Sequence, residues 1–237
     1  MNRNVLIVGG NGGVGAHIVK AFSEAGYDVA YTFRSKDNEE LLKLKNVKSY
    51  KADVVSEEQI AALAEAIKND YGHLDVCIYA SGIFENGKVD KTEADSWKRV
   101  IDTDLTGAFY VAKHMIGLLR ESGSGRYLAL GSVAGDLGNY GAASYSAAKA
   151  GLIGFVRAFA LENIKYGVTA NVVSMGYMDA GMGNMLSDVV YESVKNSIPM
   201  KKFGDPDDLA KVIVDLSSEH TGYICGQVIR VNGMMYA

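Results

Sequence analysis

The sequence predicts an α/β fold, a parallel sheet with helices on both faces, and three observations predict it. Short apolar runs bounded by glycine or polar residues alternate with amphipathic stretches along the whole chain. That alternation builds right-handed βαβ units. The first apolar run empties into Gly9-Gly10-Asn11-Gly12-Gly13-Val14-Gly15 directly ahead of a helical stretch. Strand, glycine loop and helix in this order form the unit that receives a dinucleotide, with backbone amides approaching the pyrophosphate at the helix N-terminus. Finally, 237 residues are enough for one α/β domain with a full core, residues 1–237, and short of what two domains usually need.

Composition narrows the function. Apolar residues make up 48% of the chain, yet no apolar run approaches the roughly 18–20 residues of a membrane span. The formal net charge is −4 and the basic residues are scattered, which argues against a nucleic-acid partner. The N-terminus enters a strand almost at once, leaving no room for a signal peptide. Two cysteines, Cys77 and Cys225, suit a reducing cytoplasm without a disulfide framework. The four histidines lack metal-ligand spacing, so no metal is expected.

Taken in order, residues 4–8 form the first strand and residues 16–25 a helix ended by Gly26. The glycine loop fits two registers, Gly10-x-Gly12-x-x-Gly15 and Gly9-x-x-x-Gly13-x-Gly15. Residues 27–33 form the second strand, with Arg34-Ser35 at its end. A carboxylate there would bond a free ribose 2′-hydroxyl, whereas a guanidinium pairs with a 2′-phosphate, which favours NADPH over NADH. Residues 47–52 make strand three. Residues 57–71 make an amphipathic helix with Ile60, Leu63, Ala64 and Ile67 on one face. Residues 74–80 make strand four, and residues 92–120 read as one long helix. The fifth strand is residues 125–131, glycine-bounded and apolar. After the helix that follows it, residues 168–173 are strand six. Residues 177–203 show little periodicity but hold Met178, Met182, Met185 and Met200, adaptable side chains that suit a binding lid or simple packing. Asp205-Pro206-Asp207-Asp208 caps a last helix, and residues 227–231 are the final strand.

The chemistry sits after the fifth strand. Ser132 leaves the strand end, and Ser144-Tyr145-Ser146-Ala147-Ala148-Lys149 opens a helix. Tyr145 and Lys149 are four apart and share a helical face. An ammonium held near a phenol favours the phenolate and lowers its pKa from about 10 towards working pH. A positioned phenol then exchanges a proton with a carbonyl or alcohol oxygen, and a serine hydroxyl can hold that oxygen.

Ser132, the thirteen-residue gap, and Tyr145-x-x-x-Lys149 resemble the short-chain dehydrogenase/reductase family, and in pattern the 3-oxoacyl-(acyl carrier protein) reductases. The resemblance covers nearly the whole chain and implies seven strands in the order 3-2-1-4-5-6-7. It selects the Gly9, Gly13, Gly15 register, with Asn11, Gly12 and Val14 between. It implies Asp53-Val54 beside the adenine, and cofactor contacts from Arg34, Ser35, Ala80, Gly82, Met178, Tyr145 and Lys149. The family's Asn-Asn-Ala-Gly is Tyr79-Ala80-Ser81-Gly82 here, so the asparagines are gone. An asparagine of the long helix that relays protons from the lysine is Asp104, an ion that accepts hydrogen bonds but cannot donate them. The threonine that meets the nicotinamide carboxamide is missing from Tyr177-Met178-Asp179-Ala180. Of two arginines that dock the acidic carrier, one falls at Tyr166, beside Lys165, and the other at Gly123.

The implied activity is NADPH-dependent reduction of a ketone, a 3-oxoacyl thioester on acyl carrier protein or coenzyme A, with Ser132, Tyr145, Lys149 and Asp104 as the catalytic group. A dehydrogenase of a small alcohol, sugar or polyol is the alternative enzyme, and a non-catalytic partner subunit the alternative class. The family's assembly implies a homo-tetramer, or a heteromer with a related subunit, through the helices of Asp104 and Tyr145. Ala148, Gly151, Leu152, Phe155 and Phe159 are expected to supply that surface.

Overall fold

The computed structural model of the chain describes residues 2–236, and the Met185 side chain lies outside what is described. Seven strands form one sheet: β1 (Asn4–Val8), β2 (Asp28–Phe33), β3 (Val47–Lys51), β4 (Val76–Tyr79), β5 (Arg126–Ser132), β6 (Thr169–Met175) and β7 (Val228–Val231). Every pairing is parallel, with Val5 opposite both Val29 and Val76. The order is 3-2-1-4-5-6-7, as the resemblance implies. Because the chain turns outward from β1 to β3 and then crosses to β4, a crevice opens beyond the C-terminal ends of the central strands.

Period-two alternation assigns the two faces. Val5 and Ile7 of β1 pack with Ile18, Val19 and Phe22 of α1 (Gly13–Glu24). Leu6 and Val8 face the other layer, with Ile60, Leu63 and Ile67 of α2 (Glu57–Tyr71). Helix α2 ends where its sequence says it should. Ser56 Oγ accepts the Gln59 amide at 3.3 Å, Glu57 and Glu58 sit in the first turn, and Gly72 terminates the helix at φ +78°, which favours glycine. Helix α1 begins at Gly13, three residues before the expected start, because the glycine loop itself turns into the helix.

The stretch expected as a single helix over residues 92–120 has a defect at its centre. Helix α3 (Ala94–Ile101) passes through a π-helical turn, Asp102–Thr106, into α4 (Gly107–Glu121). The Tyr79 hydroxyl donates to the Thr103 carbonyl inside that turn, and a Cβ on Gly107 would collide with the same phenol oxygen. Tyr79 therefore supports the sheet centre where the resemblance has an asparagine.

The remaining helices are α5 (Val133–Leu137), α6 (Ala143–Asn163), α7 (Asp188–Ser197) and α8 (Pro206–Leu216). Helix α8 packs on α1, while α6 lies against β5 and β6. Ala148, Leu152 and Phe159 are buried within the chain, and Gly151 receives Leu105. These four of the residues expected as assembly surface thus serve the chain's own core, while Phe155 is partly buried against it. On α4 and α6 the large apolar side chains left exposed are Phe109 and Leu161, while α5 exposes Leu137 and α7 exposes Val189 and Val190.

Candidate active site

The crevice is one cavity of about 720 Å³ running from Arg34 to Tyr145. Its first half is made by backbone. Gly9 and Gly13 have φ of +86° and +52°, the left-handed region that side chains disfavour. A Cβ on Gly15 would overlap the Gly9 carbonyl oxygen, and one on Gly10 would press on Tyr31 and Val19, whereas one on Gly12 would meet nothing within 4 Å. Of the two registers, the one that requires Gly12 loses its rationale. Helix α1 has no side-chain cap and no acid in its first turn, so its positive N-terminal end is free to receive an anion.

Asn11, Val14, Arg34, Asp53, Val54, Ala80, Gly82 and Met178 also line the cavity. The Asp53 carboxylate accepts the Val55 amide at 3.2 Å, and the Asp53 amide donates to Gln59. Ser35 lies at the strand end outside the lining. A glycine cradle, an open helix end and an exposed arginine fit a nicotinamide dinucleotide phosphate. The segment after β6 closes on this cradle, with the Gly181 Cα 3.2 Å from where a Gly13 Cβ would stand.

The second half is made by side chains. Ser132, last residue of β5, accepts the Ala134 amide at 3.2 Å and so starts α5. Tyr145, in the first turn of α6, lines the cavity with Ser132 and packs its ring edge-to-face on Phe84, centroids 5.5 Å apart. Gly135 presses α5 onto the Lys149 backbone, so closely that a Cβ there would stand 2.7 Å from the Lys149 carbonyl carbon. The Ser132 turn and the Tyr145 helix are thereby locked together.

Lys149 and Asp104 lie behind Tyr145, outside the lining and almost fully buried. Lys149 Nζ stands 5.4 Å from the Tyr145 ring centroid, donates to the Leu130 carbonyl at 3.1 Å, and lies 3.1 Å from Asp104 Oδ2. Oδ1 of Asp104 accepts the Ile83 amide at 2.8 Å, while Oδ2 has the ion pair but no well-directed hydrogen bond. Burial pulls the lysine pKa down, but the neighbouring Asp104 carboxylate leads the groups that outweigh it and hold the ammonium above its ordinary value. Burial pushes the Asp104 pKa up, with Lys149 working against that rise. Gly82 is required here, because its Cβ would fall 2.8 Å from Asp104 Oδ2 and 3.3 Å from Lys149 Nζ. The π-helical turn aims Asp104 inward at this point.

Sequence reasoning missed part of the wall opposite. Ile83, Phe84, Leu137 and Met235 line the end of the cavity beyond Tyr145, together with Tyr177, Met182 and Leu186 of the segment expected as a lid, and the charged residues of the lining, Arg34 and Asp53, both lie at the other end. Asp136 of α5 also escaped notice. It accepts Ser174 Oγ at 2.7 Å and Arg230 Nη2 at 2.9 Å, fastening the Ser132 turn to β6 and β7. Nothing local marks a pair 94 residues apart. Ala180 is buried at the expected place and supplies no hydroxyl. Tyr166 and Gly123 precede β6 and β5, at the sheet end away from the cavity, where the Arg120 guanidinium stacks 4.3 Å over the Tyr166 ring.

The chain is similar to known proteins over its whole length. A family model described as enoyl-(acyl carrier protein) reductase matches residues 8–234. The 3-oxoacyl-[acyl-carrier-protein] reductase of Staphylococcus epidermidis is 34% identical over 243 residues, covering 100% of both chains. The acetoacetyl-CoA reductase of Shinella zoogloeoides is 34% identical over 236 residues, covering 98% of each. Among solved structures, the crystal structure of gox2181 superposes with a TM-score of 0.94 at 24% identity, over 99% of this chain and 95% of that one, a likeness of fold.

Proposed function

The chain belongs to the short-chain dehydrogenase/reductase family of oxidoreductases, and on that premise we propose that it reduces the keto group of a 3-oxoacyl thioester with NADPH. The observation that carries the reading is the meeting of Ser132 and Tyr145 on one cavity wall, with Lys149 and Asp104 paired directly behind.

Gly9, Gly13 and Gly15 would admit the pyrophosphate to the open end of α1, Arg34 would face the ribose 2′-phosphate, and Val54 and Asp53 the adenine. The bound nicotinamide supplies the hydride for the carbonyl carbon. Ser132 holds the carbonyl oxygen, and Tyr145 gives it a proton as negative charge develops. Lys149 is a positioning residue, and its buried ammonium stabilises the phenolate left behind. Asp104 keeps that ammonium charged where the resemblance has a neutral asparagine. Residues 177–203 form a lid over the nicotinamide end.

The uncharged wall from Ile83 to Met235 is mostly apolar, with Asn139 and the Tyr177 hydroxyl as its polar groups, which suits an acyl chain better than the many hydroxyls of a sugar or polyol. At the two carrier-docking positions this chain has Tyr166 and Gly123, which favours coenzyme A thioesters over carrier-bound ones. Among the described residues no helix is long and apolar enough to cross a membrane, and both cysteines are free, in keeping with a cytoplasmic enzyme. Assembly into a homo-tetramer, or a heteromer with a related subunit, would cover Phe109 and Leu161, and a monomer in light scattering at micromolar concentration contradicts it.

The function is tested by following NADPH oxidation with acetoacetyl-CoA, a 3-oxoacyl carrier thioester, a simple ketone and a polyol with NADP. Turnover of acetoacetyl-CoA is expected. Turnover of the polyol alone, or of nothing, overturns the reading.

A further inference from the structure

The connection from β2 to β3 holds a cation and an anion three residues apart that do not pair. Arg34 is exposed and lines the cavity, and no described carboxylate stands within ion-pair distance of it. Asp37 is the nearest acid in sequence, and its carboxylate is turned inward. Oδ1 accepts the Tyr31 hydroxyl at 2.5 Å and the Asn38 amide at 2.7 Å, while Oδ2 accepts Ser49 Oγ at 2.5 Å. Tyr31 is a fully buried residue of β2 and Ser49 lies on β3. Two of the three donors thus come from the sheet and one, the Asn38 amide, from the loop. Hydrogen bonds to the ionised form of a carboxylate stabilise that form, and here they outweigh burial, leaving the Asp37 pKa below its ordinary value. The carboxylate is charged, satisfied and withdrawn.

The same connection is tied to the glycine loop. Asn11 Nδ2 donates to the Lys36 carbonyl at 3.1 Å, and Asn38 Nδ2 donates to the Asn11 carbonyl at 3.0 Å. With the backbone pinned on both sides, where the Asp37 carboxylate points is a variable of the loop that affects an anion at Arg34, alongside the exposed charges of Lys36, Glu39 and Glu40. Released, it would share a short exposed loop with Arg34 and compete for the guanidinium, and it would also repel a phosphate.

We propose that Tyr31 and Ser49 set cofactor preference at one remove. By holding the Asp37 carboxylate against the sheet, they leave Arg34 unpaired for a ribose 2′-phosphate. They are positioning residues, neither touching the cofactor. The proposal rests on the NADPH reading and goes beyond it by naming what keeps the arginine free.

The test is direct binding without turnover, by fluorescence titration of NADPH and NADH. The wild-type protein binds NADPH more tightly. In Tyr31→Phe/Ser49→Ala the ratio of the two affinities falls about three- to tenfold, through weaker NADPH binding, while NADH binding stays as in wild type and so reports an intact fold. Adding Asp37→Ala to that variant restores the ratio, because the competing carboxylate is gone. A double variant with the wild-type ratio overturns the proposal. So does a triple variant whose ratio stays low, since that result makes loop order the cause. Equal wild-type affinities for NADPH and NADH overturn the NADPH reading itself, a failure recognisable before any variant is made.

Discussion

The two halves of the cavity are built from different material. At the dinucleotide end the work falls to backbone: three glycines that leave room, an uncapped helix end, and a single arginine at the rim. At the reaction end it falls to side chains, with Tyr145 held between Phe84 and a buried Lys149–Asp104 pair. The contrast teaches which changes each half tolerates. The first half withstands loss of side-chain atoms and fails when atoms are added. The second keeps its shape under small changes and fails when a particular functional group is removed.

The sharpest break is Tyr145→Phe. It keeps the ring against Phe84 and removes the proton donor, so turnover of acetoacetyl-CoA should fall roughly 10²- to 10⁴-fold with the melting temperature little changed. Near-normal turnover would mean the reaction half works without its phenol.

Asp104 comes next. Asp104→Leu leaves a buried ammonium without its counter-ion and should destabilise the fold by about 3–5 kcal/mol in denaturant unfolding. Asp104→Asn keeps an acceptor for the Ile83 amide and should cost less, but it changes the pH dependence. Because the folded-state pKa of Lys149 is raised, its contribution is fully present below the unfolded value of about 10.4. It is lost as pH rises through the folded value. Without the carboxylate the folded value drops, so the alkaline loss of stability should begin at lower pH in Asp104→Asn. Superimposable alkaline unfolding curves would show that the pair does not hold the lysine charged.

A smaller effect separates two neighbouring glycines. Gly15→Ala forces a methyl onto the Gly9 carbonyl, and overpacking of about 1–3 kcal/mol should weaken NADPH binding by about tenfold or more. Gly12→Ala meets open space and should bind as wild type. The smallest is Phe84→Ala. Aromatic pairs contribute about 0.5–1.5 kcal/mol, so turnover should fall a few-fold, with NADPH affinity unchanged.

What could be read from the sequence follows the same division. Strand β1, the glycine loop and α2 are specified by local signals: four apolar residues in a row, a glycine spacing, a Ser56 cap and Gly72. Ser132, Tyr145 and Lys149 were legible because one strand end and one helical turn carry all three. The π-helical turn was not, since periodicity over residues 92–120 registers apolar faces and is blind to one extra residue in a turn. The hydrogen bond from the Tyr79 hydroxyl to the Thr103 carbonyl inside that turn joins positions 24 apart. Helix α7 was missed because none of its described side chains is buried, so no apolar stripe betrays it. That Ala148, Leu152 and Phe159 of α6 are covered by the chain itself was not legible, because a sequence shows that a face is apolar and not what covers it.

The account is tested most directly by one fluorescence titration of NADPH, run on Gly15→Ala and Tyr145→Phe side by side. It predicts that binding weakens by about tenfold or more in the first and stays at the wild-type value in the second. Equal loss in both, or wild-type binding in both, would contradict a cavity whose dinucleotide end is made by backbone and whose reaction end is made by side chains.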